Sequence, residues 1–458
     1  MDDILFEIED LGDNDVNIKR YIGPDEGEII IPEKINGKNV VRIGWLAFVD
    51  NNKITKITIP NSVICIQRNA FGCCSGLTSL YIPASVRIIK DYAFKWCVNL
   101  ESIKVDSKNK VYDSREKCNA IIETATNTLM FGCKNTIIPD SVKDISEYAF
   151  HRCIDLRKIE IGKGISNIRE NVFGGCIGLR EVTIHPSLQS IELDAFSECC
   201  SIDKVFYTGD IKQWCSIKNV GDLMYNGSEN LELSINGEEI KDKLIIPGDV
   251  EKIGYSTFAN CSKITSLKIE QGVQVVGHTS FASCRELREV ILPDSVRMIG
   301  YGAFMRCEKL KTVILGNGIT KIGSLAFYQC SSLEEITIPE SVIEIDSHAF
   351  NDCPNLRVVE IKDGANLKSL NPDLFAEKPN LRKIKIDKNC PIKIVKFILN
   401  YAIVKNIDEM IEDEYLERIT KKMLKQYIDL AREKERISIL QRLIVMYNKR
   451  FGNSDIRL

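Results

Sequence analysis

Phenylalanine returns at a fixed interval along this chain, and that interval restricts the fold before any other property is weighed. Phe48, Phe71 and Phe94 stand 23 residues apart, as do Phe150, Phe173 and Phe196. Phe258, Phe281, Phe304, Phe327 and Phe350 keep the same spacing, and Phe375 follows two residues late. A period between ~20 and ~50 residues marks a solenoid, in which a small supersecondary unit buries its apolar side by stacking on its neighbours. Such an array lengthens without enlarging a central core, so 458 residues need not divide into two or three globular domains. The first expectation is a protein that binds rather than one that catalyses.

The repeating unit is clearest from Leu310 to Leu356. One copy runs Leu310, Val313, Leu315, Ile319, Ile322, Ala326, Phe327 and Cys330; the next runs Leu333, Ile336, Ile338, Pro339, Ser341, Val342, Ile345, Ala349, Phe350 and Cys353. Val313 and Leu315, two apart, point to one side of a short strand and their neighbours to the other. Proline (Pro60, Pro83, Pro139, Pro186, Pro247, Pro293, Pro339) follows the last apolar strand residue and, lacking an N–H, closes the strand. Two positions on stands Ser (Ser62, Ser85, Ser141, Ser295, Ser341) or Gly (Gly164, Gly272, Gly318). Either suits a turn, through hydroxyl-to-backbone bonding or freedom at positive φ. Val-x-x-Ile predicts a second short extended segment, and Phe followed by Cys three residues later predicts one helical or 3₁₀ turn facing the stack.

The consensus Leu-x-x-Ile-x-Ile-Pro-x-Ser-Val-x-x-Ile-x-x-x-Ala-Phe-x-x-Cys-x-x-Leu resembles the BspA-like, or Treponema-type, leucine-rich repeat family across nearly all of Ile29 to Ile386. Two interruptions resemble long variants of that repeat. One runs from Tyr112 through Cys118 to Gly132-Cys133 with a hairpin-like excursion; the other joins Val205 to Gly209 with Trp214-Cys215. Gly23 to Gly44, which holds Ile29-Ile30-Ile31-Pro32, is similar to the family's N-terminal segment. The resemblance implies a leucine-rich repeat solenoid of mostly short parallel β-strands with 3₁₀ or helical turns in each coil. It also implies a concave strand face where partners dock, and a role in adhesion or protein recognition, often at a cell surface. The expected organisation is a capping segment at 1–46, the solenoid at 47–388 with excursions near 106–138 and 203–245, and an α-helical cap at 389–458.

Composition narrows the function by exclusion. A net charge of −3 argues against a generic polyanion binder. No apolar run approaches the ~18 residues of a membrane-spanning helix, and the acidic start, Met1-Asp2-Asp3, lacks the basic-then-apolar pattern of a signal peptide. The expectation is a cytoplasmic protein, or a surface or secreted one if exported by an unconventional route. Of the 17 cysteines, ten (Cys74, Cys97, Cys153, Cys176, Cys199, Cys261, Cys284, Cys307, Cys330, Cys353) fall three residues after the repeat phenylalanine. They read as a ladder of small packing residues; without Cys-x-x-Cys pairs no zinc site is expected. The four histidines occupy scattered positions, with His151 and His348 read as solvated spacers, and phosphate, dinucleotide and nucleophile-elbow signatures are missing. No catalytic residue, cofactor, metal or small-molecule substrate is therefore expected.

What remains is surface. Outward strand positions form rows, among them Tyr81, Lys104, Glu160, Thr183, Lys268, Ile291, Ile314 and Thr337. Tyr81 reads as the only aromatic, which excludes the stacked-ring platform of a single-strand nucleic-acid binder. Ile291 and Ile314 are the best apolar anchor for a partner; the Asn119–Phe131 hairpin and the Trp214 excursion are further candidates, since irregular insertions on a rigid frame carry specificity. In the tail, Tyr415, Ile419, Met423, Tyr427 and Ala431 recur every four residues, and Ile437, Leu440, Ile444 and Tyr447 at three and four: amphipathic helices. Pro391 suits the start of another over Ile392 to Val404. Together these predict a helical cap over the last coil. The reading is a non-enzymatic interaction protein, with a scaffold whose C-terminal helices make the main contact as the alternative.

Overall fold

The computed structural model describes residues 5–362, 367, 374, 380–386 and 390–452. It comprises two compact units, Met1–Glu239 and Ile240–Leu458; each contains a solenoid of mainly parallel strands, and the second also holds the helical tail. A regular coil begins with the strand Ile54–Thr58, turns at Pro60, and runs through the short strand Cys65–Ile66. Three hydrogen-bonded turns make its corners: Val63 N to Pro60 O at 3.2 Å, Ala70 N to Gln67 O at 3.2 Å and Cys74 N to Phe71 O at 3.3 Å. Within the strands, alternation sorts the side chains. Ile336 and Ile338 face inward while Glu335 and Thr337 face out.

In the first unit the strands Gly27–Ile30, Ile54–Thr58, Ser79–Ile82 and Ser102–Val105 make one parallel sheet. Lys158–Glu160, Glu181–Ile184, Lys204–Tyr207 and Glu232–Ile235 make another. In the second unit Asp242–Ile246, Ile264–Ile269, Glu289–Ile291 and Thr312–Ile314 pair in parallel, and a three-stranded sheet follows at Glu335–Ile338, Val358–Ile361 and Lys383–Ile386. Val313 and Leu315, expected inside, are only half-buried; they lie where pairing lapses between these two sheets.

The phenylalanines form the core as stacked columns. Phe258, Phe281, Phe304, Phe327 and Phe350 follow one another at ring-centroid distances of 5.4–5.6 Å. Phe375, expected to extend the column, lies outside the described residues. The cysteine ladder does more than fill space: eight of its ten thiols, all but Cys153 and Cys261, donate to the carbonyl of the phenylalanine one coil back, as in Cys74 Sγ to Phe48 O (2.9 Å) and Cys307 Sγ to Phe281 O (3.3 Å). Burial pushes Cys74 and Cys284 up to about 12, so the donated proton stays on sulfur.

Two local expectations need correction. The Phe-to-Cys segment is not a 3₁₀ turn, because the residue two past the phenylalanine sits in the left-handed region in coil after coil: Cys73, Trp96, Arg152, Asn260, Arg306 and Gln329 have φ between 57° and 67°. The residue two before it does the same at Asn69, Tyr92, Tyr148 and Asn171. At the Ser-or-Gly position the serine half of the reading holds at three of five places: Ser85, Ser295 and Ser341 Oγ donate at 2.7–2.8 Å to carbonyls one coil back, whereas the buried Ser62 and Ser141 hydroxyls make no hydrogen bond among the described residues. Positive φ explains only Gly272 (φ 123°). At Gly318 the requirement is close approach, since a Cβ there would lie 1.9 Å from Asp294 O.

The two long repeats solve one problem differently. In a regular coil the phenylalanine N–H donates to the alanine-position carbonyl of the next coil, as in Phe71 N to Ala93 O (2.9 Å) and Phe304 N to Ala326 O (2.8 Å). The second long repeat replaces that corner with α1 (Ile211–Ser216), begun by an Asp210–Gln213 capping box, and α2 (Gly221–Asn226). From α2 the buried Asp222 accepts from Phe196 N at 2.9 Å and Asp194 N at 3.0 Å, so a carboxylate stands in for the missing coil. The first long repeat forms the antiparallel hairpin Ala120–Glu123 with Thr128–Gly132. It brings no such acceptor, and a cleft of about 230 Å³ opens between segments 89–95 and 146–148.

The tail is helical: α3 (Ile392–Lys405), α4 (Asp413–Glu417), α5 (Lys421–Glu433) and α6 (Ile437–Phe451). The four-residue period from Tyr415 to Ala431 is not one helix; it breaks after α4, and Thr420 caps α5 by accepting from Met423 N at 3.3 Å. Tyr415 Oη donates to Ile384 O on the last strand at 2.9 Å, and Lys383 pairs with Glu412 at 2.7 Å.

Candidate functional site

In the second unit, strand register brings Ile245, Lys268, Ile291 and Ile314 onto one row of neighbouring strands. Ile245 is 39% and Ile314 51% exposed, and Ile291 is half-buried. At a strand spacing of ~4.8 Å the row runs ~14 Å, and the methylene stem of Lys268 extends the apolar strip while its ammonium stays in water. Thr337 belongs to the neighbouring sheet, where its hydroxyl donates to Glu360 at 3.2 Å. The sequence reading had noted Ile291 and Ile314; Ile245 escaped it because Asp242–Ile246 follows an irregular insertion.

In the first unit, Tyr81 and Lys104 are cross-strand neighbours. The Tyr81 phenol donates to Asp106 at 2.6 Å, which pushes its pKa up. Beside Lys104 a cavity of about 650 Å³ opens between the strand Ser102–Val105 and the first long repeat. Arg115, held by Asp113 through two parallel bonds of 2.9 and 2.6 Å, lines its far wall. Glu160, Thr183 and Phe206 make a separate row on the Lys158–Glu160 sheet, with Glu160 bonded to His185 Nε2 at 2.9 Å. Phe206, 38% exposed, is thus a second aromatic on a strand face; the insertion after it had hidden its register. Trp214 is no surface candidate. It is fully buried with its ring 5.3 Å from Tyr207, filling the core of the second long repeat.

One cluster was missed altogether. Tyr92, Lys95, Trp96, Tyr148 and His151 converge beside the cleft left by the first long repeat. The Lys95 ammonium lies 4.6 Å from the Trp96 and Tyr148 ring centres and 5.3 Å from Tyr92. Arg68 sits 4.8 Å from the Tyr92 ring and Arg152 5.3 Å from that of Trp96. His151 is not a solvated spacer: its Nδ1 accepts from Trp96 Nε1 at 3.0 Å, and burial, Lys95 and Arg152 hold its pKa down at about 4. The signal in the sequence was the placement of Tyr92, Trp96 and Tyr148 at the two left-handed positions of the coil. Other coils often use Asn, Ser, Thr or Gly there, whereas bulky residues strain the backbone.

With these surfaces placed, the family follows from the repeat. The BspA type leucine rich repeat region (6 copies) matches residues 28–128, 128–241, 236–357 and 298–426. The chain belongs to the BspA-type leucine-rich repeat family. Among solved structures, a leucine-rich repeat protein from Bacteroides ovatus ATCC 8483 is similar to this BspA-type chain with a TM-score of 0.54 and 24% identity, covering 83% of this chain and 98% of that one. A leucine rich cell surface protein from Faecalibacterium prausnitzii A2-165 aligns with a TM-score of 0.48 and 22% identity over 84% and 93% of the two chains. No curated protein matches. Among the described residues of the BspA-type chain, no helix is long and apolar enough to cross a membrane, and no three His, Cys, Asp or Glu side chains are grouped to hold a metal ion.

Proposed function

We propose that this chain is a non-enzymatic recognition solenoid that binds a protein partner on the strand face of the Ile240–Leu458 unit. The row Ile245–Lys268–Ile291–Ile314 carries the reading: apolar side chains stand exposed where alternation would place polar ones, at the spacing of successive coils. An exposed apolar strip with a charged rim, here Glu289, Glu335 and Glu360, has the anatomy of an interface core. Membership of a family of surface and adhesion proteins supports protein recognition as the class of activity. On the compartment, no disulfide joins the cysteines among the described residues, which fits a reducing cytoplasm; membership of the BspA-type family supports a cell-surface setting. Crosslinking the intact chain in its native cell tests the reading. A partner captured by the wild type and lost with Ile291→Glu and Ile314→Glu supports it; capture unchanged by both substitutions overturns it. The scaffold reading rests on α6, where Ile437 and Val445 are 67% and 66% exposed. It gains if Val445→Glu alone abolishes capture.

A further inference from the structure

The cleft beside Lys95 is a main-chain corner left without its acceptor. Phe94 is the ladder phenylalanine that precedes the first long repeat, and its N–H has no hydrogen-bond acceptor among the described residues; nor has that of Trp96. In regular coils the corresponding donors bond carbonyls of the following coil, as Phe71 N does to Ala93 O and Cys73 N to Lys95 O, at 2.9 and 2.8 Å. The chain itself shows which chemical group replaces such a carbonyl. At the second long repeat the Asp222 carboxylate takes both Phe196 N and Asp194 N. No side chain performs this service for Phe94.

The surroundings of the cleft are those of an anion site. Arg68, Lys95 and Arg152 make no side-chain hydrogen bond or ion pair within the described residues; they are held instead over the Tyr92, Trp96 and Tyr148 rings. The cation heads are therefore positioned while their donors stay free. Lys90, Asp91 and Glu147 also line the cleft, and Arg169 is engaged by Asp144 at 2.6 Å. On the adjoining side Arg68 and Arg152 stand over the rings and Asp50 beside Cys73, so the four cations Arg68, Lys90, Lys95 and Arg152 outnumber the three carboxylates Asp50, Asp91 and Glu147. Ile121, Met130 and Phe131 supply an apolar floor. If the cluster only filled the gap, the cleft would be closed and its cations paired.

We propose that this cleft receives the side-chain carboxylate of an acidic peptide segment from a partner protein, which accepts from Phe94 N–H and pairs with Lys95 as Asp222 accepts from Phe196 within the chain. The site is separate from the isoleucine row, and neither reading depends on the other.

The test uses the full chain labelled with ¹⁵N-tryptophan, whose three tryptophans report at Trp45, Trp96 and Trp214. It is titrated with acetyl-Gly-Glu-Gly-amide and, separately, acetyl-Gly-Gln-Gly-amide. The glutamyl peptide should move the Trp96 resonances saturably and leave fully buried Trp214 unchanged. The glutaminyl peptide should bind about 10-fold more weakly, since a charge-assisted bond is worth roughly 1.4 kcal/mol more than a neutral one. Hydrogen exchange at Phe94 should slow only with the glutamyl peptide. Lys95→Met, and independently Arg152→Gln at an exposed position, should each weaken binding severalfold. Equal binding of the two peptides, no saturable shift at Trp96, or full binding by both variants would overturn the proposal.

Discussion

Replacing Phe304 with alanine tests the column of rings and the register together. Phe304 is fully buried, with Phe281 at 5.6 Å and 6° on one side and Phe327 at 5.5 Å and 13° on the other. Truncating a buried phenylalanine costs about 3–5 kcal/mol, including the cavity left behind. Each stacked pair adds ~0.5–1.5 kcal/mol beyond burial, so a ring sandwiched on both faces belongs near ~5 kcal/mol. Phe258 is equally buried but has one stacked partner among the described residues, Phe281 at 5.4 Å, and Phe258→Ala should cost ~1 kcal/mol less. Exposed Lys311→Ala should stay within ~0.5 kcal/mol. Urea melts followed by circular dichroism rank the three, and hydrogen exchange locates the damage. Solenoid stability is close to a sum of local and nearest-neighbour terms, so exchange should quicken first in the coils of Phe281 and Phe327. Equal costs for Phe304→Ala and Lys311→Ala, or a larger cost at Phe258, would refute the sandwiched-ring account.

Other consequences are open to measurement. Alkylation of native protein should mark exposed Cys200 before any ladder cysteine, and Cys284, Cys307 and Cys330 should react only after denaturation, without reductant; a need for reductant would show disulfides. The folded His151 pKa lies below the unfolded 6.5, at about 4. Its contribution is therefore present above pH ~6.5 and lost as pH falls toward 4, with a ceiling of ~3 kcal/mol that solvent screening reduces. His151→Gln should flatten that limb of the stability–pH curve. Tyr415→Phe removes the hydroxyl bonded to Ile384 O and should cost about 1 kcal/mol, with faster exchange at Lys383–Ile386; unchanged exchange there would deny the tail a role in holding the last strand.

The repeat spells out most of this architecture because stacking demands the same residue at the same corner each time. Phe304, Cys307, Ser341 and Ile345 each answer to a neighbour one period away, and periodicity is what a sequence displays directly. The parts that were not legible are those where the partner lies outside the period. Trp214 looked available because it sits in an insertion; only the packing against Tyr207 shows that the insertion has its own core. Phe206 was in register but unrecognised, since the helices after it interrupt the count. Lys95 reads as an ordinary spacer until the hairpin of Ala120–Glu123 and Thr128–Gly132 brings Tyr148 and His151 beside Trp96. That meeting joins residues 55 apart, a separation unrelated to the 23-residue ruler.

The Asp222 carboxylate has a bearing on how such chains change length. A solenoid interrupted by inserted sequence faces a small deficit: the N–H donors that the displaced coil would have served. Here one side chain on a six-residue helix answers that deficit at Phe196. An insertion that delivers a well-aimed oxygen to the corner keeps those donors bonded, while it packs a small core of its own, as Trp214 does against Tyr207. Repeats of this kind can take up new segments between intact coils where the segment meets those two demands, and so vary their outer surface while the stacked interior is kept.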